Sequence, residues 1–171
     1  MPVRLGYRIR QFWQALTARR ATAEPPDLPP GLAHLFWQMP PADRAHGLRA
    51  CQSLSADGVI PADLVIATLL HDVGKSAHPI HLWDRVLYVL AGRLAYGWLQ
   101  RVTAVPAAAC WSGLVALHRH AEQGARLVAA AGGTPEAVDL IRHHHADPDS
   151  LPWPPEKRRL LQALQRADDL S

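Results

Sequence analysis

From Pro41 onward, apolar residues recur every three or four positions, and nowhere do they alternate with polar ones between hairpin-type turns. That periodicity predicts helices throughout, hence an all-α domain. Pro41 opens a helix carrying His46, Leu48 and Leu54 that stops near Gly58. Pro61 suits the first position of the next helix, whose run ADLVIATLLHD is stopped by Gly74. An amphipathic stretch over 80–102 meets no breaker except glycines, and another over 113–131 ends at Gly132-Gly133. Pro135 begins a helix through Ile141 towards a histidine run. Pro155 or Glu156 opens a last one with Leu160, Leu161 and Leu164 on its inner face.

Ahead of this body, residues 4–20 set Leu5, Ile9, Phe12, Trp13 and Leu16 at helical spacing among arginines. Two readings stand: a surface helix laid on the domain, or a basic amphipathic helix touching an anionic membrane or a partner. The prolines between 25 and 30 read as a stiff linker, which divides the chain into a segment 1–25 and a domain 26–171.

Composition narrows the classes. The 171 residues are 49% hydrophobic, enough for one packed domain and too many for a disordered chain. The net charge of +3 is misleading, because five arginines and no acid lie in residues 1–20, leaving thirteen basic against fifteen acidic side chains elsewhere. The basicity belongs to the tail, so the domain is not expected to bind nucleic acid. The nearest approach to a membrane span, 94–117, is cut by Arg101 and Pro106. Two cysteines, Cys51 and Cys110, make no disulfide framework, and no signal peptide opens the chain. A cytoplasmic protein is expected, peripheral at the membrane if the basic segment docks there. The oligomeric state is not written in the pattern.

Ten histidines stand out. His46 lies mid-helix, His71-Asp72 end an apolar helix, His120 precedes Gly124 by four, His143-His144-His145 close a further helix, and Asp168-Asp169 come late. Each group falls at a helix end or on a face that carries apolar residues; Leu64 and His71, seven apart, share one side. Imidazoles and carboxylates buried there are costly unless paired or bound to metal. The donor types suit Mn, Fe, Zn, Co or Ni, and the lack of a cysteine cluster argues against structural zinc.

LLHDVGK at 69–75 resembles the signature of the HD-domain metal-dependent phosphohydrolases, with His46 in AHGLRAC upstream and Asp168 in LQRADDLS downstream. HAEQG at 120–124 and IRHHHADP at 141–148 are similar to the HxxxG and paired-histidine elements of the branch that builds a two-metal centre. The likeness covers roughly residues 43 to 171. It implies an all-α HD bundle holding two divalent transition-metal ions, Mn or Fe first, with Co, Ni, Zn or Mg as alternatives. Metal one would take His46, His71, Asp72 and Asp168, and Asp72 would bridge to metal two on His120, His144 and His145. Aligning Ile141 with the family's apolar position selects His144-His145 as the pair; a shift to His143-His144 stays open. HD-GYP proteins of this branch carry a Gly-Tyr-Pro turn after the pair, whereas here Ala146-Asp147-Pro148 and SLPWPP follow, so cyclic-di-GMP hydrolysis is not implied. Ala42 stands four before His46, where some members put a carboxylate for a third metal, which favours two ions.

Two divalent ions ~3.5–4 Å apart can activate a water and clamp the oxygens of an in-line phosphoryl displacement, with no protein nucleophile. Asp72 is the expected catalytic bridge. Lys75 either holds a substrate phosphate or balances the end of a helix dipole. Arg142, His34, His78, His81 and His118 read as exposed side chains, and the six tryptophans as core or lid residues. The expected activity is hydrolysis of a phosphomonoester or phosphodiester in a small, nucleotide-like substrate. Two other classes stand beside it: a non-catalytic ligand-binding signalling module and a di-iron oxygenase.

Overall fold

The computed structural model describes residues 27–54, 60–77, 80–104 and 112–171. The helices are α1 (Pro30–Gln38), α2 (Pro41–Leu54), α3 (Ala62–Leu70), α4 (Leu82–Leu94), α5 (Tyr96–Ala104), α6 (Ser112–Ala130), α7 (Pro135–His143) and α8 (Pro155–Leu170). Short 3-10 turns cover Val73–Ala77 and Pro148–Ser150, and no strand occurs among the described residues. The fold is all-α. The basic segment 1–25, His78 and Trp111 lie outside the described residues.

Local chemistry accounts for the starts. Pro135 sits at the first position of α7, where its missing N–H is not needed, and the Thr134 hydroxyl accepts the Ala137 N–H at 3.2 Å. Pro155 opens α8 in the same way. Pro61 stands one position earlier than expected, as the cap of α3, because its extended backbone (ψ 138°) turns the chain into the helix rather than joining it.

Helix α3 is apolar nearly all round, and it is covered accordingly by α2, α7 and α8. Leu69 and Leu70 there join Leu32 and Phe36 of α1, Leu140 and Ile141 of α7, and Leu161 and Leu164 of α8 in one core. Helices α4 and α5 give that core nothing.

A further expectation fails at α4. The stretch 80–102 is not one helix but breaks at Ala95 (φ −146°, ψ 45°). Its halves pack on each other and both touch α6, which a straight helix cannot do. Of the described tryptophans, Trp153 packs against the core, whereas Trp83 is 78% exposed and Trp37 lies open beneath the Arg44 guanidinium at 5.0 Å.

The turn after α3 carries HDVGK and is crossed at backbone contact by α6. A Cβ on Gly74 would collide with the His120 carbonyl oxygen and come within 2.7 Å of the Gly124 nitrogen. Glycine at 74 is thus what lets α6 lay His120 over Asp72. Gly74→Ala should destabilise the protein by at least about 3 kcal/mol in urea unfolding, since rigid backbone cannot yield as a side-chain end can. An unchanged midpoint would mean that α6 can lift without cost.

Candidate metal centre

Seven histidine and aspartate side chains from five different places in the chain meet under α6. His46 comes from the middle of α2, His71 and Asp72 from the end of α3, His120 from α6, His144 and His145 from the end of α7, and Asp168 from α8. The carboxylate of Asp72 lies between two groups. Its Oδ2 is 3.6 Å from His71 Nε2, and its Oδ1 is 3.6 Å from His120 Nε2. On one side, donor atoms of His46, His71 and Asp72 lie within 4.8 Å of one another; on the other, those of His120, His144 and His145 do the same. Asp168 joins the first group, with Oδ1 at 2.8 Å from His46 Nε2 and 3.5 Å from His71 Nε2.

The rings are oriented by their far nitrogens. His71 Nδ1 meets the Thr68 carbonyl at 2.9 Å, His120 Nδ1 that of Leu117 at 2.8 Å, and His144 Nδ1 that of Ile141 at 2.6 Å. In each case the ring folds back on the carbonyl three residues earlier, which assigns the proton to Nδ1 and leaves Nε2 facing the centre. His46 reaches the same result through Ser171: the serine hydroxyl donates to the Asp168 carbonyl at 3.0 Å, and so accepts from His46 Nδ1 at 2.8 Å.

In the second group this assignment leaves His120 Nε2 and His144 Nε2 as bare lone pairs. His120 Nε2 is 3.2 Å from His144 Nε2 and 3.1 Å from His145 Nε2. With both Nδ1 protons committed, no proton is left to bridge His120 and His144. Burial holds His120 down at about 3, helped by the Lys75 charge, and holds His144 down at about 4, helped by His71. Both rings are therefore neutral near pH 7, and converging neutral nitrogens suit a cation. The donor set fits a divalent transition metal on each side of Asp72.

The first group is more strongly charged. Burial opposes protonation of His71, but Asp72 and the bond to Asp168 outweigh it and lift the ring to about 9. Burial likewise works against charge on Asp72 and Asp168. Lys75, His71 and His120 overcome it at Asp72, and His46 and His71 at Asp168, so both carboxyls stay well below the usual range. Lys75 Nζ donates to Asp72 Oδ2, so its charge lies inside the centre rather than on helix-terminal carbonyls.

His143 stands apart. Its Nδ1 bonds the Asp139 carbonyl at 2.9 Å, and its ring meets Trp153 edge-on at 4.9 Å. Arg142 also turns away, to Glu122 at 3.0 Å and Asp139 at 3.3 Å. His34, His81 and His118 are exposed.

Asp43 is the residue that the sequence reading passed over. It is 7% exposed, one carboxyl oxygen has no partner, and the other is 3.8 Å from Arg85 of α4. Burial raises its pKa, and the charges of Lys75, Asp72 and His46 are close enough to act on it. The signal was available: Asp43 precedes His46 by three, hence shares its helix face.

The family model described as HD domain matches residues 48–171, nearly three quarters of the chain. No curated protein and no solved structure matches. The matched span starts just after His46, and the structure brings that histidine to Asp168 at 2.8 Å.

Proposed function

The chain belongs to the HD-domain family, a superfamily of metal-dependent phosphohydrolases, and from that premise we propose that it hydrolyses a phosphomonoester or phosphodiester in a small, nucleotide-like substrate with two divalent metal ions. The observation that carries this reading is Asp72, whose two oxygens face two separate histidine groups. In it, His46, His71, Asp72 and Asp168 hold one ion, and Asp72, His120, His144 and His145 hold the other. Nitrogen and oxygen donors without sulfur suit Mn or Fe first. When bound, the pair supplies Lewis acidity, a water made nucleophilic at neutral pH, and a clamp on the phosphoryl oxygens.

The chain's own groups do the rest. Carbonyls of Thr68, Leu117 and Ile141 fix three rings by their Nδ1 protons and keep the Nε2 atoms turned inward. Lys75 neutralises Asp72 and offers an ammonium to a substrate phosphate. Residues 26–171 act as one HD domain, with 1–25 appended to it.

Elemental analysis followed by a phosphatase screen with and without oxygen tests the proposal. The expected result is about two first-row ions per chain and hydrolysis that is indifferent to oxygen, lost on chelation and restored by Mn. Turnover only with oxygen would indicate a di-iron oxygenase. Metal without any turnover would indicate a ligand-binding module.

A further inference from the structure

The α4–α5 pair wears its apolar residues on the outside. Along α4, Trp83, Val86, Leu87, Leu90 and Leu94 form one helical stripe, and they are 78%, 40%, 37%, 50% and 83% exposed. In α5, Tyr96 and Trp98 are also open, at 56% and 38%, although two positions apart they stand on different sides of that helix. A surface helix of a globular domain normally shows the reverse arrangement, and a contiguous stripe differs from the single exposed leucines that need no explanation.

Charge indicates what covers it. Between 82 and 104 the basic residues are Arg85, Arg93 and Arg101, all exposed; Arg85 faces Asp43 on the other side of α4, so Arg93 and Arg101 are the basic residues left to the outer face. The only acid there, Asp84, accepts the His81 backbone N–H at 2.8 Å as part of the helix cap. A second copy laid on this face would set arginines against arginines, and so would the arginine-rich segment 1–20. A lipid surface with anionic headgroups accommodates both features at once. The stripe would enter the acyl boundary, Arg93 and Arg101 would stay with the headgroups, and Trp83 at the start of α4 would lie at the level aromatic side chains prefer. We propose that the outer face of α4 and the start of α5 dock this protein on an anionic membrane, with α4 lying in the plane of the interface. Arg85, on the side of α4 away from the stripe, reaches Asp43 beside the metal centre, so the docked helix is tied directly to the site.

Co-sedimentation of the full chain with phosphatidylcholine vesicles, with and without phosphatidylglycerol, tests this. Wild type should pellet only with the anionic vesicles and be released as salt is raised. Combining Trp83→Ser, Leu90→Ser and Leu94→Ser should lower the partition by at least about tenfold, with helical content and metal content unchanged because these side chains support no core. Independently, Arg93→Gln with Arg101→Gln should lower it by roughly thirtyfold, from about 1 kcal/mol per arginine. No pelleting of wild type at low salt would overturn the proposal. So would a triple serine variant that pellets like wild type, which would move the contact to residues 1–20. A dimer in light scattering that the triple variant turns into a monomer would assign the face to a second copy instead.

Discussion

Replacing Asp72 with alanine is expected to strip both metal ions together and lower phosphate-ester hydrolysis by at least about a thousandfold, since several kcal/mol of transition-state charge stabilisation goes with them. The reason is positional. Among the described residues, Asp72 alone has two oxygens that approach a nitrogen of each histidine group, Oδ2 toward His71 and Oδ1 toward His120. Helical content should stay near wild type, because the apolar core lies in α1, α2, α3, α6, α7 and α8 and contains no part of Asp72. Lys75 loses its partner in this variant, at a cost of about 1–3 kcal/mol to folding. Asp72→Asn keeps the shape and some hydrogen bonding, and should fail in metal content all the same. Elemental analysis beside circular dichroism reads both effects. Full metal occupancy in Asp72→Ala would refute the bridging role.

The histidine run gives the second large effect. Successive residues in a helix turn by ~100°, so three adjacent histidines cannot face one point from regular helix. Here α7 ends at His143, His144 caps it with helical angles (φ −60°, ψ −13°), and the Ala146 N–H bonds back to the His143 carbonyl at 2.7 Å. His144 and His145 thereby both meet His120, while His143 leans on Trp153. His144→Ala and His145→Ala should each roughly halve the metal content, leaving the ion on His46, His71, Asp72 and Asp168, and each should abolish most activity. His143→Ala should keep metal and activity and cost less than about 1 kcal/mol of stability, the value of one edge-on ring contact. A His143→Ala variant that loses metal while His145→Ala keeps it would shift the pair by one residue.

Much of the architecture was legible because it is local. Apolar spacing announced the helices, and prolines 41, 135 and 155 stand at their first positions as the missing N–H of proline allows. The break at Ala95 was not legible, because the apolar pattern runs through it without interruption; what bends the chain is that α4 and α5 must each touch α6. Asp43 was hidden for a related reason: a lone aspartate one turn from a histidine is ordinary on an exposed helix. Only the approach of α4 and the Val73–Ala77 turn leaves one of its oxygens without a partner.

By itself, then, the sequence determined the all-α class, the residue types available to a metal and the order in which the chain supplies them. Helical period and histidine spacing depend on neighbours a few positions apart, and those are written in the chain directly. The family resemblance grouped His46 with Asp168 and His120 with His144, but tertiary structure alone decided that the first pair closes to 2.8 Å across 122 residues and that the second turns its bare nitrogens to each other at 3.2 Å. It also decided that the apolar stripe of α4 faces outward. Amphipathic spacing fixes that a helix has an apolar side, but which way that side points depends on what the other helices leave uncovered, and that is settled only when they pack.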